Sequence, residues 1–571
     1  MGILTALTLL TLPLGPMAAQ RDRKAPDDSA TRVMVGTDYL VSRDGDAPHV
    51  EVMAAANPRD ARNLIAGAIT YTRSEGGTAT KAYVTHDGGV TWSDVAFSEQ
   101  SRFGGGDPQV AFTSAGTAIF ATLTPKADET GRTRAYLHAY RSEDAGRTWG
   151  APFDLGASYD HPMLTSDHTT GRYAGRLYMA VLYGRQYSLG VFRSEDDGRS
   201  WIGPVKFIDG EGKRGLNVDQ TIVLSDGSLV VPFVDFPSTP AQDSVWKVSR
   251  LYTVLSADGG VTFSPPRPGP GPVGTARRVL ADRQLAGSFA YAADPSPRFR
   301  ERIYCVWTDF SRGVPRVLIS WSVDRGQTWS APKTVAQPNT DSTKQFQAAV
   351  AVNRDGILGV TWYDTRGATS GLAFHELFAA SLDGGATFTE PARVSSAISI
   401  ARGSGNLLLS PSSFTGLAGE MRVSFISAAS RWLAGGDYMG LTTDASGDFH
   451  PVWADARSGS YQLHTARVRV VRESSRAVTA APNDTAKLGA PTDITRRIDL
   501  GETNADAAPE ILSSSNGMKG AGAVFTYEEA LGSDGVLPPG GVSGAILWRL
   551  KLRDAERVPD FHVYITGRLA R

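Results

Sequence analysis

The chain is 571 residues long, 41% hydrophobic and 20% charged, with 58 Lys plus Arg against 59 Asp plus Glu. That length exceeds what one hydrophobic core usually serves, so several domains or a repeat architecture are expected, and the composition is that of a folded chain. A net charge of −1 without a clustered Lys/Arg run offers nucleic acid no basic stripe, and the single Cys305 excludes an internal disulfide and cysteine-based zinc clusters.

In chain order, Ile3 to Gly15 form an apolar run followed by the small residues Ala18 and Ala19 and then by charge. This is the layout of a signal peptide at residues 1–19, although no Lys or Arg precedes the run and Met17 stands where a small residue is usual. The run falls short of the roughly 20 apolar residues a membrane span needs, so a secreted or periplasmic protein without a transmembrane span is expected. A strand-like stretch, "RVMVGTDYLVS", follows at Arg32–Ser42.

From there one short polar box recurs six times: "THDGGVTW" at Thr85–Trp92, "SEDAGRTW" at Ser142–Trp149, "SEDDGRSW" at Ser194–Trp201, "SADGGVTF" at Ser256–Phe263, "SVDRGQTW" at Ser322–Trp329 and "SLDGGATF" at Ser381–Phe388. The closing aromatics are spaced 52 to 66 residues apart, near the upper end of the periods that mark propellers and arrays. Each box reads as a tight turn between strands. The Asp carboxylate accepts backbone N–H groups, the Gly two residues later supplies positive φ, and the aromatic opens the next strand. Upstream of each box lie two further apolar or alternating runs, as in "DQTIVLSDGSLVVPFV", so one repeat is four antiparallel strands with the box between the third and fourth. Repeated radially, such sheets are propeller blades. Seven blades over 32–472 are expected, or six if one unit is an insertion; the last, at Asp437–Val470, has no box and would close the ring with Arg32–Ser42 as its outer strand. Cys305 in "RIYCVWTD" reads as a buried strand thiol. Residues 473–492 are polar, Ala/Pro-rich and aperiodic, a linker, and the runs at 493–571 suit a small β-sandwich, Ig-like in style.

The six boxes, with "GDYMGL…DFHPVWADARSG…QLHTAR", resemble the BNR/Asp-box repeats of the sialidase-like β-propeller superfamily, in particular bacterial exo-α-sialidase-like proteins. The resemblance covers about residues 32–472 and implies an all-β Asp-box propeller with the activity of an exo-acting glycoside hydrolase whose ligand is a glycan or glycoconjugate. It also implies a tyrosine that attacks the anomeric carbon, a partnering glutamate for which Glu376 and Glu420 are available, a carboxylic acid that protonates the leaving oxygen, and arginines that clamp a substrate carboxylate. The Arg-Ile-Pro motif that active sialidases carry before their first box is absent; the corresponding stretch reads "HVEVMAAANPRD".

Turns between third and fourth strands share one face, so a site belongs on the opposite face, among the loops entering each first strand. Those loops place Tyr438, Asp437, Asp107 and Asp160 as catalytic candidates and His161, Asp219 and Gln347 as substrate-binding ones. Second-strand ends repeat Trp-x-Asp with a nearby Arg, making Arg312, Arg366 and Arg457 candidate carboxylate clamps beside Asp309, Asp364 and Asp455. No cofactor is expected, although an acidic channel could take Ca²⁺ and His161 and His168 flank aspartates. A monomer is expected. The alternative is a non-catalytic propeller that binds glycans or proteins, in which those arginines are already paired with their aspartates and the channel is shallow or plugged.

Overall fold

The computed structural model describes residues 31–472 except 44–46, 73–76, 98, 101–103, 213–214, 237–245, 277–288, 369–372, 401–406, 412–420 and 426–437, and beyond them five short strands between Thr495 and Thr566. Seven antiparallel sheets follow one another, each of four main strands, which are in sequential order in the first six. Blade 1 runs His49–Ala56, Leu64–Thr72, Gly77–Thr85 and Ser93–Ala96. The inner strands of blades 2 and 3 are Gly106–Phe112 and Tyr159–Ser166. Blade 4 opens with two pieces, Leu216–Val218 and Ile222–Val223, and blades 5, 6 and 7 with Phe289–Ala293, Gln345–Val352 and Gly440–Thr443. Each inner strand touches the inner strand of the next blade, and the seventh touches the first. The ring is closed.

Closure comes from a strand borrowed from the far end of the chain. Thr31–Leu40 pairs antiparallel with Gln462–Arg472, so blade 7 takes its outer strand from before blade 1, as the sequence suggests. The core is not central: separate hydrophobic clusters fill the seams between neighbouring blades. Trp307, Trp362 and Trp453 are fully buried at equivalent second-strand positions in blades 5 to 7. Cys305 is buried in blade 5, where burial pushes its thiol up.

The boxes do what their residue types allow. In Ser322–Trp329, Ser322 Oγ donates to Asp324 Oδ1 at 2.8 Å and accepts the Gly326 N–H at 2.8 Å. Asp324 in turn accepts the Thr328 N–H at 2.8 Å and the Thr328 hydroxyl at 2.6 Å. The other five boxes repeat the serine or threonine to aspartate contact at 2.7–2.9 Å. In two of them the tryptophan indole N–H also donates to the box glycine carbonyl, from Trp92 to Gly89 and from Trp149 to Gly146. The boxes also join blades, for Ala145 of the second box accepts from Asn63 Nδ2 of blade 1 at 3.1 Å, and Gly259 of the fourth from Arg176 of blade 3 at 2.9 Å. Box turns and first-to-second-strand turns therefore share one face.

The expected linker at 473–492 lies outside the described residues. Of the region 493–571, Thr495–Asp499 pairs with Val524–Thr526 and His562–Thr566, and Glu510–Ile511 with Leu550–Lys551. Residues 1–30, with the expected signal peptide, are likewise outside them, and no helix among the described residues is long and apolar enough to cross a membrane.

For the box carboxylates of Asp144 and Asp258, the upward push of burial is outweighed by hydrogen bonds from Thr148 and Ser142, and from Thr262 and Ser256, which lower them from 3.8 to about 2. The remaining box aspartates are lowered for the same reason. A carboxyl that is more acidic folded than unfolded contributes stability that is complete above its unfolded value and lost as pH falls through the folded one. Thermal unfolding followed by circular dichroism should show Tm flat above about pH 5 and falling as pH drops from about 4 towards 2. A Tm unchanged across that window would mean the boxes do not hold their charge.

Candidate functional site

On the face away from the boxes, four inner strands carry the same irregularity. A bulge shifts register between Val50 and Met53 in blade 1, Gly106 and Gln109 in blade 2, Asp160 and Met163 in blade 3, and Phe346 and Ala349 in blade 6. In each bulge one residue takes positive φ, and none is glycine: Glu51 at 54°, Asp107 at 47°, His161 at 51° and Gln347 at 54°. Such a backbone costs a non-glycine residue about 1–3 kcal/mol and persists where surroundings enforce it, characteristically at sites that use it. In blade 4 the inner strand breaks at the same level, with Asp219 in the break. In blade 7, Tyr438 stands two residues before the first paired residue, Gly440, as Glu51 stands two before Met53.

These positions converge. The Tyr438 hydroxyl lies 2.8 Å from His161 Nδ1 and 3.3 Å from Nε2, with the rings 5.2 Å apart between centroids. Blades 3 and 7 are not neighbours in the ring, so this contact crosses the central axis. Tyr438 packs against the cluster of blades 3 and 4 that includes Met163 and Val218. Adjacent blades stitch the bulges together: Asp107 Oδ2 accepts the His161 N–H at 3.0 Å, Thr308 Oγ1 accepts the Gln347 N–H at 3.1 Å, and the Tyr438 carbonyl accepts the Val52 N–H at 3.3 Å.

Of the sequence candidates, Tyr438, His161, Asp107, Gln347 and Asp219 thus occupy equivalent inner-strand levels. His161, Gln347 and Asp219 are buried, Tyr438 and Asp107 are half-buried, and Asp160, one residue before the blade 3 bulge, is exposed. Asp437 lies outside the described residues, as does Glu420. Glu51 was missed, because nothing in a glutamate's identity announces positive φ; aligning the inner strands on their bulges is the signal that finds it. Glu376 is on the third strand of blade 6, facing Tyr363 across the sheet and accepting from the Thr361 hydroxyl, and burial pushes its carboxyl well up.

The arginines behave differently from the axial set. Arg366 reaches Asp364 Oδ2 at 2.9 Å, and the same carboxylate accepts the Trp362 indole N–H at 3.1 Å. Arg457 reaches Asp455 Oδ2 at 2.6 Å beside the Trp453 indole at 3.0 Å, and also Asp38 at 2.8 Å. Asp38 belongs to the closing strand, and its carboxylate further accepts the Ser396 N–H and hydroxyl, both at 2.8 Å. Arg312 is exposed, and Asp309 instead takes the N–H groups of Gly274 at 3.0 Å and Ser311 at 3.1 Å. Two of the three candidate clamps are therefore tied into the scaffold. His168 is at the box end of its blade, 3.3 Å from Ser114 Oγ, and so away from His161. Among the described residues no group of three His, Cys, Asp or Glu side chains is placed to hold a metal ion.

A family described as BNR repeat-like domain matches residues 176–361, a stretch holding the boxes at Ser194, Ser256 and Ser322. The fold is a seven-bladed β-propeller with Asp boxes, and its central part is similar to BNR repeats. No curated protein matches the sequence. Similar solved structures include a protein of unknown function from Dyadobacter fermentans, 13% identical, with 77% of this chain and 99% of that one covered at a TM-score of 0.42. The intramolecular trans-sialidase of Ruminococcus gnavus is 13% identical, with 57% and 92% covered and a TM-score of 0.39. An α-L-arabinofuranosidase of Fusarium graminearum, solved with arabinobiose, is 13% identical, with 58% and 93% covered and a TM-score of 0.40.

Asp455 is fully buried, so removing Arg457 strands its charge, a change that costs about 3–5 kcal/mol in buried pairs. Arg457→Ala should therefore lower Tm markedly in differential scanning calorimetry, and Arg366→Ala should do so in the same direction. A variant of unchanged Tm with weakened ligand binding would instead make the guanidinium a clamp.

Proposed function

We propose that this propeller is an exported, exo-acting glycoside hydrolase whose site is the axial mouth opposite the boxes. The observation that carries the reading is the 2.8 Å contact between the Tyr438 phenol and the His161 imidazole across the axis. A phenol is a weak nucleophile at its own pKa, and a base within hydrogen-bond reach activates it. In the first step Tyr438 Oη attacks the anomeric carbon and its proton passes to the His161 imidazole. The glycosidic C–O bond breaks, its electron pair stays on the departing oxygen, and that oxygen takes a proton from Asp160, the exposed carboxyl one residue from His161. In the second step water attacks the same carbon and returns a proton to Asp160, while the phenolate leaves and recovers its proton from imidazolium. Enzyme and protons end as they began, and configuration is retained by double displacement.

Glu51, Asp219 and Gln347 offer further hydrogen-bonding groups at the same level, suited to the hydroxyls of a sugar. A second reading has a specific observation behind it: Arg366 and Arg457 are occupied, and His161 and Tyr438 bridge the channel, as a plugged, glycan-binding propeller would show.

Hydrolysis of a panel of aryl glycosides, neutral and acidic, by residues 20–571 separates the two. Turnover of one sugar that drops by about 100-fold or more in Tyr438→Phe and in His161→Ala supports the hydrolase, general acid–base groups typically contributing factors of 10²–10⁴. Asp160→Asn should still release a rapid burst of aryl group from leaving groups that need no proton, then turn over slowly because the second step lacks its base, and lose activity on poor leaving groups. A folded protein that turns over no member of the panel, yet retains glycans on an array, is the binding propeller.

A further inference from the structure

We propose that Asp107 is a positioning residue that holds the His161 bulge in register with Tyr438, not the proton donor its place at the mouth suggests; this rests on the hydrolase reading above. The geometry is specific. Asp107 Oδ2 takes the backbone N–H of His161, the very residue whose backbone is at positive φ, at 3.0 Å. Three residues on, in the same strands, Leu164 N–H donates to Gln109 Oε1 at 3.3 Å, and Gln109 is itself buried. Blade 2 therefore grips blade 3 by two side-chain acceptors, one within the bulge and one just beyond it. A residue in the left-handed region returns to extended backbone when nothing enforces it, and for His161 that return would carry the imidazole away from the axis.

The same device recurs where no proton transfer is at issue. Gln347, the positive-φ residue of blade 6, has its N–H taken by the Thr308 hydroxyl of blade 5 at 3.1 Å. A hydroxyl does there what the carboxylate does at His161, so the shared requirement is an acceptor supplied by the preceding blade. An ionised or protonated carboxyl is not needed for that task. What Asp107 must provide is one oxygen at one place.

The consequence separates the two roles. Asp107→Asn keeps a side-chain oxygen able to accept the N–H but cannot give up a proton, whereas Asp107→Ala removes the acceptor. Positioning predicts that Asp107→Asn keeps kcat within about 5-fold of the unchanged protein. Asp107→Ala should lose about 100-fold in kcat, the scale of a displacement of about 1 Å at a reacting group, with KM little changed. In parallel, the ring-nitrogen NMR signals of His161 in ¹⁵N-histidine-labelled protein, assigned by their loss in His161→Gln, should be alike in the unchanged protein and Asp107→Asn. They should move in Asp107→Ala as the phenol contact is lost. Asp107→Asn as inactive as Asp107→Ala would overturn the proposal in favour of a proton donor. His161 signals unmoved in a folded Asp107→Ala would overturn it whether or not any glycoside is turned over. Absence of turnover with the expected NMR shifts would leave positioning standing and remove the hydrolase reading alone.

Discussion

Everything at the axis depends on one pairing at the rim. The strand Thr31–Leu40 must find Gln462–Arg472, more than 400 residues away, before seven separate sheets become a ring of fixed diameter. Only then do blades 3 and 7 face each other closely enough for His161 and Tyr438 to share a hydrogen bond. The pairing is reinforced electrostatically at the mouth end of the strand, where Asp38 joins Arg457 of blade 7 and Ser396, which follows the outer strand of blade 6. Burial alone would raise the Asp38 carboxyl, yet Ser396 and Arg457 bring it below its usual value, the sign of a charge that is compensated and held.

Arginines near a propeller mouth invite a role in recognising an acidic sugar, and two of them have the right address. Their guanidinium groups are engaged by carboxylates from their own blades, each of which also accepts an indole N–H from a buried tryptophan. Trp, Asp and Arg thus form a clasp at the end of the second strand. The axial positions, by contrast, are set by backbone distortions that bring no evident stability, and four of them recur at one level. Repetition builds the turns on the box face, and on the other face the clasps and the axial bulges.

How much of this could be read beforehand follows from what each feature depends on. The boxes are local: their serine, aspartate and glycine spacing dictates a turn whatever surrounds it, and all six formed. The closing strand was also legible, because a last blade one strand short and an orphan strand before the first blade complete each other. Cys305 read correctly as a buried strand residue. The pairing of Arg366 and Arg457 was visible as an alternative but not decidable, since i to i+2 spacing does not say whether a side chain turns back to its own strand or out to a ligand. Arg312 shows the limit, because it stands three residues after Asp309 where Arg366 and Arg457 stand two after their aspartates, and Asp309 accepts the N–H groups of Gly274 and Ser311 and the Ser311 hydroxyl instead. Glu51 and the left-handed bulges were illegible, because positive φ at Glu, Asp, His and Gln is imposed by neighbouring blades and leaves no residue-type signature. The contact of Tyr438 with His161, 277 residues apart, follows only from the ring's closure.

The most direct test is of the bond the mechanism forms. Residues 20–571 would be incubated with activated aryl 2-fluoro glycosides of neutral sugars and the matching 3-fluoro sialoside, which slow the second displacement more than the first. Intact-protein and then peptide mass spectrometry would follow. A single glycosyl adduct on the peptide containing Tyr438, absent in Tyr438→Phe, is the expected result. An adduct on a carboxylate elsewhere, or none in a protein that turns over the corresponding unfluorinated glycoside, would contradict a phenol nucleophile at the axis.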